Sequence, residues 1–365
     1  MAANTLAATT MPRSVDARAA LALGMRLLEA ASVSSAALSA ELLLLHVVGR
    51  DRGWLYAHPE YLLSASEQQA YERCLARRAS GEPAQYITGR QEFWGLEFEV
   101  TPSVLIPRPE TEHVIEVALA RLGECGAMGL DFPNSHSGVA RGVTDAVPRA
   151  VIPGTTGGKI AIADVGTGSG CIAVALAKEL PLAHIIATDI SAAAIEVARR
   201  NIARHGVSDR VRLLQTDLLE GACDAWPAAS ENQDRSTNHN RPRRVFDLIV
   251  SNPPYIARNE AHTLAVDVRE HEPHTALFGG ATGIELYARL IAQAGATLRA
   301  GGVLVLELGY DSAERVRAMF SPQGMSPGDA PDAAPAFRFS QLGWDDLRIV
   351  NDLAGIPRVI SAIRV

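Results

Sequence analysis

The sequence predicts an α/β protein: a parallel sheet with helices on both faces, preceded by a small helical bundle. Three observations carry that prediction. From Lys159 onward, short continuous apolar runs alternate with helix-length segments, the order expected of a buried parallel sheet. The first of these runs opens through a glycine-rich loop into a helix. The first 80 residues instead carry leucine and alanine at helical spacing.

Length and composition fit that division. The chain has 365 residues, whereas one domain usually holds roughly 100–200, so two domains and a surplus are expected. Hydrophobic residues make up 47% and charged residues 21%, the balance of a globular protein rather than a disordered or fibrous one. The net charge of -7 argues against a nucleic-acid binder, whose footprint is usually basic. Cys74, Cys125, Cys171 and Cys223 form no CxxC pair, and no cysteine–histidine or HxxxH cluster has metal-ligand spacing. No metal site is expected, and free thiols suit a reducing cytoplasm. The apolar run Leu42–Val48 is too short to span a bilayer, and no signal peptide is read at the N-terminus.

The elements follow in order. Leu23, Leu27, Leu28 and Ala31, then Leu38, Leu42, Leu45 and Val48, mark two helical faces that read as core. His46 is simply a helical residue. Gly49 to Gly53 breaks the pattern, and Ser64-Ala-Ser66-Glu67 starts another helix. Tyr86-Ile87, Phe93-Trp94 and Phe98-Glu99-Val100, with glycines between, suggest a linking hairpin. Strands are expected at Ile160–Val165, His184–Thr188, Val211–Gln215, Phe246–Ser251, Val303–Leu308 and Arg358–Val365, with helices at Cys171–Leu180, Ala192–His205 and Gly283–Leu298. The expected domains are therefore a helical region at 1–82, a linker hairpin at 83–107 and an α/β domain at 108–365. Insertions are expected near 124–158, 221–244 and 322–338, where the composition turns polar or rich in Pro and Gly.

Two segments carry chemistry. Gly166-Thr167-Gly168-Ser169-Gly170 lies between the strand ending at Val165 and the helix beginning at Cys171. Glycines there let the backbone approach a ligand, and the helix start presents free N–H groups. Asp189 ends the next strand, where a carboxylate can accept from two ribose hydroxyls. The GxGxG spacing misses the dinucleotide fingerprint and suits S-adenosylmethionine, which needs no pyrophosphate cradle. The plain alternative is a glycine turn for tight strand–helix packing.

Asn252-Pro253-Pro254-Tyr255 directly follows the strand Phe246–Ser251, where ligands of open parallel sheets bind. An amide or arylamine nitrogen is a poor nucleophile that carries two N–H donors. The Asn252 side-chain oxygen and the Pro253 carbonyl can accept both. The prolines fix φ and remove competing N–H groups, and Tyr255 offers a flat face to a planar group. Positioning and desolvation would then supply most of the rate. The plain alternative is a rigid Pro-Pro turn.

The chain resembles the HemK/PrmC family of protein-(glutamine-N5) methyltransferases, which modify the GGQ glutamine of peptide chain release factors. The resemblance includes Arg78-Ala-Ser-Gly81-Glu82-Pro83-Ala-Gln-Tyr86-Ile87-Thr88-Gly89 and Glu92-Phe93-Trp94-Gly95-Leu96. It continues through Val104-Leu105-Ile106-Pro107-Arg108-Pro109-Glu110-Thr111-Glu112, the glycine loop, Asp189-Ile190-Ser191, Asn252 to Tyr255, Leu306-Glu307-Leu308-Gly309 and Asp352-Leu-Ala-Gly355. It implies a seven-stranded, Rossmann-like sheet typical of S-adenosylmethionine-dependent methyltransferases, with a substrate-recognising helical domain. It also implies that Gly166, Thr167, Gly168, Ser169, Gly170, Asp189, Asp217, Leu218 and Asn252 contact the methyl donor. Asn252, Pro253, Pro254 and Tyr255 would hold the glutamine, with Asn252 and Tyr255 catalytic. Family members often have an aromatic residue where Leu218 stands, so adenine packing there would be aliphatic. Arg108 and Glu110 either order the substrate wall or form a salt bridge, and Glu307 is read as orienting a strand end or nearby loop. Trp54 and Trp344 read as core or interface residues.

Two other classes share some of these features. An adenine-N6 DNA or RNA methyltransferase could use the same Asn-Pro-Pro-Tyr cradle, but it calls for a basic groove that the charge balance disfavours. A non-catalytic scaffold would have little use for Asn252 and Tyr255. Release factors are the expected partners, without nucleic acid or membrane, for a cytoplasmic monomer.

Overall fold

The computed structural model describes residues 15–124, 160–225, 245–321 and 343–365. The insertion expected at 322–338 therefore lies outside the described residues. So does that at 124–158 beyond Glu124, and that at 221–244 from position 226. The chain divides into two compact units, Met1–Arg90 with Val100–Pro102 and Thr263–Glu272, and Gln91–Glu99 with Ser103–His262 and Pro273–Val365.

The first unit is helical. Its helices are Ala17–Ala30, Ala36–Val48, Arg52–Ala57, Ala65–Ala79 and Ala84–Thr88. The start read at Ser64 is a capping box: Ser64 accepts from the Glu67 N–H while Glu67 accepts from the Ser64 N–H. Gly49 ends the second helix at φ +65°, a left-handed cap that glycine adopts without a Cβ penalty. Leu28, Leu43, Leu44 and Tyr71 are fully buried between the helices. A Cβ on Gly24 would lie 2.2 Å from the Tyr71 hydroxyl, so that glycine lets the first helix close on Ala65–Ala79. Tyr86 and Ile87, expected in the linking hairpin, sit instead in the helix Ala84–Thr88.

The same unit contains the helix Val266–His271. Arg78 is 5% exposed and pairs with Asp267 at 3.3 Å, while also donating to the Gly81 and Glu82 carbonyls. Removing the buried guanidinium deprives the Gly81 and Glu82 carbonyls and the partly exposed Asp267 of their charged donor. Arg78→Ala should therefore lower the unfolding free energy by about 2 kcal/mol, read as a lower urea midpoint. Arg78→Lys should recover little, because an ammonium cannot reproduce the planar fork.

The second unit is built on a sheet. A hairpin of β1 (Arg90–Phe93) and β2 (Leu96–Glu99) precedes it. The strands that follow are β3 (Ile160–Val165), β4 (Ala183–Asp189), β5 (Val211–Gln215) and β6 (Phe246–Ser251). Next come the short pair β7 (Ile256–Ala257) and β8 (Phe278–Gly280), then β9 (Leu298–Glu307), β10 (Trp344–Asn351) and β11 (Pro357–Arg364). Seven of these form one sheet in the order β10-β11-β9-β6-β3-β4-β5. Pairing is parallel from β9 to β5, and β11 runs antiparallel to both β9 and β10.

The wholly parallel sheet expected from the alternation is thus corrected at one edge. The strand β10 carried no sequence signal because none of its residues is buried, as an edge strand allows. Chain continuity then turns β11 back along it. In β3, Ile160 and Ile162 join one apolar cluster and Ala161, Ala163 and Val165 the other, so the sheet is covered on both faces. The order reverses between β3 and β6, and the crevice above their carboxyl ends is where such sheets bind ligands.

Candidate active site

Both chemistry-bearing loops emerge at that reversal, the glycine loop from β3 and Asn252-Pro253-Pro254-Tyr255 from β6. The Ser251 hydroxyl donates to the Val165 carbonyl at 2.7 Å, which fixes the two departure points against each other.

Gly166, Gly168 and Gly170 have φ of +72°, +55° and +82°, values that L side chains rarely adopt. A Cβ on Gly166 or Gly168 would meet nothing within 4 Å, whereas one on Gly170 would press on Ala198 at 3.3 Å. The first two leave open space above the sheet, and the third allows close helix packing. Asp164 supports the loop from below. It is fully buried and accepts from the Thr167 hydroxyl at 2.6 Å and the Ala173 N–H at 3.2 Å. Burial pushes its carboxyl up to about 7, and its Oδ1 has no partner.

Asp189, at the end of β4, accepts from the Gly168 N–H through Oδ2 and from the Ser191 N–H through Oδ1, each at 2.9 Å. Its pKa is raised by burial. Asn201 completes the support. It is fully buried, donates to the Ser169 and Glu99 carbonyls at 2.8 and 2.9 Å, and accepts from the Glu99 N–H at 2.8 Å. The carboxylate of Asp217 pairs with Arg289 at 2.6 Å. Leu218 holds φ +51° and packs against the apolar cluster beneath, so both stand beyond the end of β5.

Asn252 is half-buried and donates through Nδ2 to the Thr111 hydroxyl at 3.0 Å. Thr111 ends the short turn Pro109–Thr111, so the segment holding Arg108 and Glu110 reaches the Asn252 side chain. The geometry leaves the Asn252 oxygen as the acceptor end of the amide. Two glycines press on the loop from behind: a Cβ on Gly279 would lie 2.4 Å from the Pro254 carbonyl, and one on Gly283 2.4 Å from the Tyr255 carbonyl. The Tyr255 ring lies on Gly309, whose Cβ would come within 2.9 Å. Burial raises the pKa of the Tyr255 hydroxyl, and the neighbouring Glu307 adds to this, so Tyr255 stays neutral.

Glu307 ends β9 and is 3% exposed. Burial pushes its carboxyl up to about 7, with Glu110 raising it further and Thr111, Arg358 and Arg108 opposing. The charges of Arg108 and Glu110 therefore both act on the Glu307 carboxyl.

The family described as PrmC N-terminal domain matches residues 19–89, and the family described as Methyltransferase small domain matches residues 150–226. A release factor glutamine methyltransferase of Koribacter versatilis is 38% identical over 91% of this chain and 93% of its own length. The chain belongs to the release factor glutamine methyltransferases. Members from Chlorobaculum tepidum and Geobacter sulfurreducens are 43% and 40% identical, over 77% and 80% of the chain and 81% and 84% of their own lengths.

In this family member, the structure brings Asn252, Pro253, Pro254 and Tyr255 onto one loop backed by glycines, and Asp189 onto Gly168. Asp164, Thr111 and Asn201 carried no assigned role in the sequence. A carboxylate closing the otherwise apolar run at Ile160–Val165 was the one signal for Asp164, since such a buried charge needs partners. Asn201 looked like any polar residue of its helix. Gly279→Ala tests the backing of the loop. Its Cβ would meet backbone rather than a movable side chain, so the loop must shift, and turnover should fall about 100-fold while the methyl donor still binds. Calorimetry beside a steady-state assay separates the two effects.

Proposed function

We propose that this chain transfers the methyl group of S-adenosylmethionine to the side-chain amide nitrogen (N5) of the GGQ glutamine in peptide chain release factors. The observation that carries this reading is the Asn252 carboxamide held through its nitrogen by Thr111 beside the glycine loop, with its oxygen left to accept an amide N–H.

The residues present fit the methyl donor. The open space over Gly166 and Gly168 accommodates a ligand against backbone, and Asp189 stands beside it. Gly166, Thr167, Gly168, Ser169, Gly170, Asp189, Asp217, Leu218 and Asn252 would hold it. When bound, it supplies an electrophilic methyl group. Asn252 and the Pro253 carbonyl accept the two N–H groups of the glutamine, and Pro254 keeps the turn rigid. Tyr255 packs against the amide plane, and Arg108 and Glu110 line the approach. Together they aim the nitrogen and exclude water. The glutamine sheds its extra proton after transfer, so no general base is required.

The helical region at 1–82 is proposed to recognise the release factor and 108–365 to carry the chemistry, with 83–107 between them. One chain carries every residue assigned, so a monomer suffices, and a substrate from translation termination places the reaction in the cytoplasm. Incubation with S-adenosylmethionine and a purified release factor, followed by mass spectrometry of the GGQ peptide, should show one added methyl group on the glutamine. An unmodified glutamine overturns the reading. Methyl transfer to adenine in a duplex, with salt-sensitive binding, would establish the nucleic-acid activity instead.

A further inference from the structure

We infer that Glu307, acting through the hydroxyl of Thr111, fixes which end of the Asn252 carboxamide faces the substrate, and that Thr111 and Glu307 are positioning residues for the transfer. The inference rests on the cradle reading of Asn252.

An asparagine side chain has two nearly isosteric ends, one accepting and one donating. Turned by 180° about its terminal bond, Asn252 would present N–H groups to a substrate that also brings N–H groups, and the cradle would repel what it should hold. Something must choose the orientation. Asn252 Nδ2 lies 3.0 Å from Thr111 Oγ1, but a hydroxyl can accept or donate, so Thr111 alone does not choose. Glu307 supplies the missing polarity. The Thr111 side chain hydrogen-bonds its carboxylate. An ionised carboxylate only accepts, so the Thr111 proton is committed to Glu307. Thr111 can then offer Asn252 only a lone pair, which takes an N–H and leaves the amide oxygen outward.

The burial of the relay supports this. Thr111 and Glu307 are each 3% exposed, and Glu307 Oε2 has no partner, an arrangement costly enough to need a purpose. Every group around Glu307 enters the balance. Glu110 raises its pKa, Arg358 and Arg108 lower it, and Arg358 is itself paired with Asp352 at 2.8 Å. Tyr255 and Tyr287 also face it, and both have their ionisation pushed upward, so they remain neutral in the range that matters. Glu307 therefore sits at about 7. As pH falls through that value, it gains a proton and becomes a weaker acceptor, so its hold on the Thr111 proton loosens and Thr111 is free to donate to the Asn252 oxygen, which turns the amide over. Productive orientation is lost on the acid side.

The test uses the full chain with a release factor, reading kcat, KM for each substrate and the pH profile. Thr111→Val, which keeps shape but lacks the hydroxyl, should lower kcat about 30-fold, with KM for S-adenosylmethionine within about threefold. Thr111→Ser should return to within about threefold of the native rate. Glu307→Gln should lower kcat about tenfold and remove the fall in activity near pH 7. If Asn252→Ala is inactive but Thr111→Val turns over at the native rate, the relay is wrong and the cradle stands. If Asn252→Ala is itself fully active, the cradle reading fails first. Equal impairment in the Thr111→Ser and Thr111→Val variants would reduce Thr111 to a packing residue. Should Thr111→Val fail to fold by circular dichroism, an unchanged acid limb in Glu307→Gln overturns the inference.

Discussion

Asn252→Ala should lower kcat by about 10²–10³-fold, the cost of deleting one preorganised polar contact at a reacting centre, with the fold intact. The side chain touches the structure through one hydrogen bond to Thr111, so its loss leaves a single hydroxyl lone pair that water can satisfy. The chemistry loses more. An amide nitrogen whose lone pair is delocalised gains its reactivity here from alignment, and without the acceptor its plane is free to turn. Asn252→Asp should fare no better. It restores an acceptor but sets a second carboxylate on the hydroxyl already committed to Glu307, and the two acidic groups then share one proton donor. Circular dichroism and thermal unfolding should match the native chain for both variants. Native turnover by Asn252→Ala would remove the acceptor cradle from the mechanism.

Asp189→Ala should weaken binding of S-adenosylmethionine about 100-fold, with a far smaller effect on kcat at saturation. Asp189 accepts backbone N–H groups from Gly168 and Ser191 at 2.9 Å, with Ile190 also holding the carboxylate, and its two oxygens offer about four acceptor sites. The residue therefore both ties down the loop and keeps acceptor capacity for a ligand hydroxyl. Hydrogen bonds to a charged group contribute about 1.5–3 kcal/mol each, so losing one to the ligand together with the loop anchoring amounts to about 3 kcal/mol and two orders of magnitude in Kd. Isothermal titration with S-adenosylmethionine measures it directly. Asp189→Asn should recover part of the affinity, because one end of the amide still accepts. An unchanged Kd in Asp189→Ala would place the ligand elsewhere.

Much of this site was legible because its residues are local in sequence. The loop Gly166–Gly170 and the tetrapeptide Asn252–Tyr255 each declare themselves by composition, and the apolar runs before them place both at the ends of β3 and β6. The parts that escaped depend on distant pairings. Asn201 differs from other helical polar residues only in meeting Glu99 and Ser169, and Gly279 only in lying under Pro254. Neither contact has a local signature. The edge strand β10 escaped for a different reason: with one side unpaired and its residues partly exposed, it needs no apolar alternation. The helix at Ala84–Thr88 is five residues long, too short for helical periodicity to show.

The pairing of Arg78 with Asp267 has a consequence for how the chain is made. The two residues are 189 positions apart, so at roughly 5–20 residues per second the helical unit waits about 10–40 s on the ribosome for its last piece. During that interval the Arg78 guanidinium has its local carbonyls but no counter-charge. The N-terminal helices thus emerge first and mature late, and a nascent chain stalled before position 263 should be more open to protease within residues 15–90 than one released after 272.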